Sequence, residues 1–173
     1  MPRANLEIKA RCRDLDAARR RARALASEWV GLDRQRDTYF QTRTGRLKLR
    51  ESSRSGGQLI AYQRPDEAGV KRSDYQVLAV ADPVGLKGLL SALLGVHREV
   101  AKRREIGLCD NVRIHLDRVE GLGTFLELEA VFDGSPEQEK QEREKLALLM
   151  DQLGVVEGDL LASSYEGLLG PGQ

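Results

Sequence analysis

Asn5-Leu6-Glu7-Ile8-Lys9-Ala10-Arg11-Cys12-Arg13 is the stretch that decides how this chain folds. Leu6, Ile8, Ala10 and Cys12 alternate with Glu7, Lys9, Arg11 and Arg13. A period of two puts the apolar side chains on one face of a strand and the charged ones on the other. The pattern returns downstream. Leu47 and Leu49 alternate with Arg46, Lys48 and Arg50; Val112, Ile114 and Leu116 alternate with Arg113, His115 and Asp117. Leu126, Leu128, Ala130 and Phe132 alternate with Glu127, Glu129 and Val131. Strands are therefore expected near 5–13, 34–42, 46–53, 58–64, 70–80, 97–107, 111–119 and 123–132. Short links at Thr44-Gly45, Ser55-Gly56-Gly57 and Gly121-Leu122-Gly123 make antiparallel neighbours the natural pairing. A sheet of about eight strands can close on itself, which predicts an α+β protein built on an antiparallel β-barrel.

Elsewhere the period changes to that of helices. After Asp14, a candidate N-cap, Leu15, Ala18, Ala22, Leu25 and Trp29 form one apolar stripe. Asp82-Pro83 opens a second helix that Gly95 ends. Ser135-Pro136-Glu137-Gln138 combines an N-cap, a first-turn proline and a capping-box glutamine, and its helix stops at Gly154. A short last helix is expected from Asp159 to Leu169. All four stripes read as packing faces.

The length of 173 residues suits one domain, residues 1–170, with 171–173 left as a loose tail. A composition of 40% apolar and 32% charged residues excludes a disordered chain. No apolar run has the length of a membrane span, and the N-terminus lacks a signal-peptide segment, so a cytoplasmic protein without a membrane partner is expected. Cys12 and Cys109, with no metal-like spacing, fit the same setting as small buried hydrophobes. The net charge of +1 conceals a basic first two thirds and an acidic stretch from Glu120 to Glu144, a distribution unlike that of a nucleic-acid binder. The Arg19-Arg20-Arg21-Ala22-Arg23 run reads as a solvated helix face. A homodimer is neither required nor excluded.

The charged strand faces are sorted by sign. Lys48, Arg50, Arg64, Lys71, Lys102, Arg104 and Arg113 occupy the middle strands, while Glu7, Asp117, Glu127 and Glu129 lie in the first and last two. On an open, wet sheet these cations would repel one another only weakly. Enclosed in a barrel, their repulsion in a low dielectric requires an anion to neutralise them. A triphosphate brings about three to four negative charges, enough for such a lining. The carboxylates beside it would hold a hard divalent ion, Mg²⁺ or Mn²⁺. A wet sheet in a structural or interaction module remains the competing reading.

The residues also resemble a known family. Asn5 to Arg11, Arg36-Asp37-Thr38-Tyr39-Phe40, Gly45 to Arg50, Ile60 to Pro65, Lys71 to Tyr75, Lys102-Arg103-Arg104, Asp117, Phe125 to Glu129 and Ser164 to Leu169 follow the order of the CYTH superfamily, the triphosphate tunnel metalloenzymes. The resemblance covers most of the chain. It implies an eight-stranded antiparallel tunnel for a triphosphorylated substrate, and its members include class IV adenylyl cyclases, thiamine triphosphatases and inorganic triphosphatases. On this resemblance Glu7, Glu127 and Glu129 would be metal ligands, with Asp117 contributing. Lys9, Arg11, Lys48, Arg50, Arg64, Lys102, Arg104 and Arg113 would contact phosphate, and Lys71 joins them from the cationic face. Lys9 is the catalytic candidate, because a lysine buried among cations can assist a nucleophile. The expected activity is adenylyl cyclase-like, ATP to cyclic AMP and pyrophosphate, with thiamine or inorganic triphosphate hydrolysis and a non-catalytic polyphosphate or nucleotide binder as alternatives.

One departure matters. The family signature begins with glutamate and this chain has Asn5, whose amide oxygen can ligate a metal but carries no charge. His115 reads as a structural hydrogen-bonder, with a base as its other reading. Tyr39, Tyr62 and Tyr75 read as wall residues or hydroxyl donors.

Overall fold

A computed structural model describes residues 3–170, so the tail at 171–173 lies outside the described residues. The strands are β1 (Arg3–Arg11), β2 (Glu28–Phe40), β3 (Arg46–Ser52), β4 (Gly56–Gln63), β5 (Lys71–Val80), β6 (Val96–Cys109), β7 (Val112–Val119) and β8 (Gly123–Phe132). The helices are α1 (Leu15–Leu25), α2 (Pro83–Leu94), α3 (Pro136–Leu153) and the short α4 (Tyr165–Leu168). All eight strands pair antiparallel and close into a barrel in the order β1-β5-β4-β3-β2-β6-β7-β8. None of the described helices is long and apolar enough to cross a membrane.

The two strand faces part as the alternation predicts, with the charged face inside the barrel and the apolar face outward. Leu6, Ile8, Val112, Ile114, Leu116, Leu126 and Leu128 pack against Ala18 and Ala22 of α1 and Leu146, Leu149 and Leu153 of α3. The main hydrophobic core therefore lies between the barrel wall and these helices, and the barrel interior is left to polar groups. Side-chain caps fix where the helices start: Asp14 accepts from Ala17 N, Asp82 from Gly85 N and Ser135 from Gln138 N. Gly154, at φ 74°, ends α3 in the left-handed conformation that favours glycine.

Two boundaries differ from the sequence reading. The first helix stops at Leu25, and Trp29 belongs to β2, opposite Gly107 of β6. A Cβ on Gly107 would lie 2.9 Å from the Trp29 ring, so the ring packs where only glycine leaves room. A bulge between Trp29 and Gly31 lets β2 begin six residues before the expected 34. The expected final helix is a 3₁₀ turn at Glu157–Asp159, an extended segment and the four-residue α4. That segment packs by strand-like contacts instead: Leu161 N donates to Lys9 O, and Leu160 bridges Ala10.

The same segment seals one end of the barrel. Tyr165 packs with Tyr39, Val100, Val119 and Phe125, and Leu161, Leu168 and Leu169 cover this cluster. Buried Lys71 donates to the carbonyls of Leu161 (2.9 Å) and Ala162 (2.6 Å), and Glu166 pairs with Arg46 at 2.9 Å. Along β1, Asn5, Glu7, Lys9 and Arg11 thus run from the open mouth towards this floor.

Candidate active site

Above the floor lies a cavity of about 460 Å³. Its lining includes Glu7, Lys9, Lys48, Arg50, Arg64, Lys102, Arg104, Arg113, Glu127 and Glu129, ten of the residues expected at the site. Three others stand apart from it. Arg11 is exposed beyond the floor, stacked over the Phe125 ring with 5.4 Å to its centroid. The Lys71 ammonium is committed to the two carbonyls of the C-terminal segment. Asp117 is completely buried behind the lining.

The lining presents eight basic side chains against four carboxylates, Glu7, Asp33, Glu127 and Glu129. Behind it, two further carboxylates hold the arginine forks. Asp37 accepts from Arg50 Nε (2.8 Å) and Nη2 (2.7 Å), with Lys48 and Lys102 each at 3.4 Å. Burial alone would raise the Asp37 carboxyl, but Arg50, Lys102 and Lys48 keep it well below the ordinary range. Asp117 grips Arg104 through two bonds of 2.7 and 2.6 Å and accepts from Tyr165 OH at 2.6 Å. Each bidentate pair fixes a guanidinium plane, as phosphate recognition requires. The sequence reading missed Asp33, Gln35 and Asp37. Their signal was the alternation Asp33-Gln35-Asp37-Tyr39, of which only Asp33 lies before the expected strand at 34–42.

Glu127 is the hub of the next group. Its carboxylate meets Lys9 Nζ at 3.0 Å, Arg104 at 3.2 Å and His115 Nδ1 at 3.0 Å. Burial opposes its charge, but Lys9, Arg104 and His115 hold the carboxyl well below the usual value. His115 is itself buried, and burial with the Arg104 charge lowers its pKa against the pull of Glu127. Burial and Arg104 bring Lys102 down to about 7. Lys9 also lies 3.8 Å from the centroid of the Tyr165 ring, a cation–π contact that ties the site to its floor.

Nearer the mouth, Glu7 pairs with Arg64 and lies opposite Glu129 in the β1–β8 register. Glu129 accepts from Asn5 Nδ2, which turns Asn5 Oδ1 away as a buried oxygen without a hydrogen-bond partner. Among the described residues no cluster of three or more His, Cys, Asp or Glu is arranged around one point. Two carboxylates and an orphaned amide oxygen are nonetheless a donor set for a hard cation. Mg²⁺ commonly takes only one or two protein carboxylates and completes its octahedron with water and phosphate oxygens. Glu7 and Glu129 each meet a single arginine, Arg64 and Arg113, whereas both oxygens of Glu127 and of Asp117 are held by close donors, so Glu7, Glu129 and Asn5 fit that role better. The lining also has an apolar part: Val30, Ile60, Val77, Ile106 and Leu108.

Fold and site together define a closed antiparallel tunnel, sealed at one end, with a cation-rich interior suited to a phosphate chain. The CYTH domain model matches residues 3–165, and this chain belongs to the CYTH family. Among solved structures, a protein from Pyrococcus horikoshii is 26% identical with a TM-score of 0.79, the match covering 96% of this chain and 99% of that one. A candidate adenylate cyclase from Vibrio parahaemolyticus is 20% identical, TM-score 0.82, covering 95% and 97%. A candidate adenylyl cyclase from Hippeastrum with a dominant triphosphatase activity is 17% identical, TM-score 0.66, covering 95% and 94%. The last two likenesses speak to fold alone. No curated protein matches the chain.

Proposed function

We propose that this protein is a divalent-metal-dependent enzyme acting on an organic triphosphate, in the manner of an adenylyl cyclase. The observation that carries the reading is the division of the tunnel lining. Lys9 and Lys102 lie over the Tyr165 ring of the floor, and Arg104 is held by Asp117, which bonds to Tyr165. Ile60, Val77, Ile106 and Leu108 supply an apolar part of the lining, of which Val77 is exposed. A phosphate chain entering first would leave its organic end against that apolar part, where an inorganic triphosphate has nothing to place.

Glu7, Glu129 and Asn5 would hold Mg²⁺ or Mn²⁺ on the mouthward side of Lys9. When bound, the ion would neutralise phosphate charge and acidify an attacking hydroxyl. The deep cations would grip the two terminal phosphates and stabilise them as the leaving diphosphate. The fixed forks of Arg50 and Arg104 would hold the chain in line for attack. The ribose 3′-hydroxyl oxygen bonds to the α-phosphorus, the bond from that phosphorus to the bridging oxygen breaks, pyrophosphate leaves, and the hydroxyl proton passes to water. Oxygens of Glu7, Glu129 and Asn5 would stand nearer the organic end than Lys9, which favours chemistry at that phosphorus. Hydrolysis of the terminal phosphate is the second reading, favoured by the sealed floor that brings the last phosphate against Lys9 and Lys102.

The test is incubation with Mg²⁺ or Mn²⁺ and ATP, thiamine triphosphate or tripolyphosphate, followed by product identification. Cyclic AMP with pyrophosphate is the expected result. Orthophosphate alone selects hydrolysis, and no turnover of any of the three by folded, metal-binding protein refutes the enzymatic reading.

A further inference from the structure

The outer wall carries a second set of cations that the tunnel does not use. Arg34 of β2 lies directly opposite Arg103 of β6, and Arg103 directly opposite Arg118 of β7. Their inward neighbours Asp33 and Gln35, Lys102 and Arg104, and Asp117 are buried, while all three arginines are exposed. Like charges directly opposite one another destabilise a sheet. Several other arginines have acidic partners: Arg19 has Glu105, Arg46 has Asp66, Arg72 and Arg143 have Glu139. Among the described residues, none of the three ladder guanidiniums has an ion pair or a hydrogen bond. They border a groove of about 510 Å³ lined also by Ala101, Arg36, Glu51 and Glu120.

We propose that this ladder is a second anion site, on the outside of the barrel, for an inorganic di- or triphosphate. Neighbouring strands are about 4.8 Å apart, so three guanidiniums in one row span about 10 Å. That reach suits a short phosphate chain better than a single phosphate, and planar forks bind such oxygens bidentately. Ala101, next to Arg103 but one, leaves the groove its depth. The adjacent row holds the acids: Glu51 opposite Arg36, and Glu120, whose N–H donates to Ala101 O. They repel any long polyanion laid across the wall, and a net charge of +1 lacks the overall basicity of a nucleic-acid binder. Gln35 and Lys102 border both the groove and the tunnel, but the three ladder guanidiniums lie on the opposite strand face from the tunnel lining, so the site does not rest on the catalytic reading.

The experiment is calorimetric titration of the full chain with tripolyphosphate in the absence of metal, repeated on Arg34→Gln/Arg103→Gln/Arg118→Gln. Two classes of site are expected in the unmodified protein and one in the variant, with the remaining affinity unchanged. The variant should melt no lower than the parent without ligand, since it sheds opposed like charges and no contact. A single class that the variant abolishes supports the ladder and removes the tunnel reading. Identical isotherms for the two proteins overturn the proposal. Tighter binding of a short single-stranded RNA than of tripolyphosphate, lost in the variant, overturns the assigned ligand.

Discussion

Asp37→Asn tests whether the tunnel interior is a balanced cluster awaiting a polyanion. The carboxylate is 1% exposed and neutralises Arg50, Lys48 and Lys102. Removing one partner of a buried ion pair costs about 3–5 kcal/mol, because it leaves charge uncompensated. In a domain of this size each kcal/mol moves the melting temperature by about 2–4 °C, so a fall of roughly 6–20 °C is expected. The pH dependence follows in sign. The folded carboxyl is depressed, so its contribution is full above the unfolded value of about 3.9 and is lost as pH falls further, through the folded pKa. The variant lacks that contribution at neutral pH and therefore shows a shallower acid limb. Tripolyphosphate supplies the missing negative charge and should raise the melting temperature of the variant by more than it raises that of the parent. Thermal melts followed by circular dichroism, from acid to neutral pH and with and without the anion, measure all three effects. A variant melting within about 2 °C of the parent, or one that gains less from the anion, refutes the reasoning.

Lys102, brought to about 7 by burial and Arg104, should make metal-free tripolyphosphate binding weaken as pH rises through 7. Lys102→Arg keeps its charge and should remove that step in titrations across this range. The same depression has the opposite sign for folding: between about 7 and the unfolded lysine value of about 10.4, stability rises with pH. Tyr165→Phe deletes the 2.6 Å bond to Asp117 and should cost about 1.5–3 kcal/mol in chemical denaturation, as hydrogen bonds to charged groups do. Glu129→Gln should weaken Mn²⁺ binding at least about tenfold, and Asn5→Glu should strengthen it, both read by paramagnetic titration of the full chain.

Much of the barrel was legible because one face of each strand had to meet α1 and α3, and that requirement writes a period of two into Leu6-Ile8 or Ile114-Leu116. The lining cations were legible for the complementary reason. Trp29 was not, since its place depends on the absent side chain of Gly107, a contact 78 positions away that no local pattern records. The extended course from Leu160 to Ser164 was hidden likewise: its partners are backbone groups of Lys9 and Ala10 and the ammonium of Lys71. Asp33 and Asp37 could have been found by carrying the alternation back from Tyr39. Which carboxylates are most heavily engaged by cations is a purely spatial matter. Glu127 and Glu129 are equivalent in the sequence, yet His115, Lys9 and Arg104 converge on one, and Asn5 with Arg113 on the other.

The plug built from Leu161, Tyr165, Leu168 and Leu169 also dictates traffic. On the proposed reading, whatever goes in first towards this plug would come out last. Under the proposed function, a substrate that entered by its phosphates would deliver its organic product next to the exit and strand the inorganic one beneath it, so departure would be ordered without any moving part. The fragment left at the bottom occupies the very cations that the next substrate needs. Pyrophosphate or phosphate should accordingly compete with substrate, while the organic product, already at the door, competes only weakly.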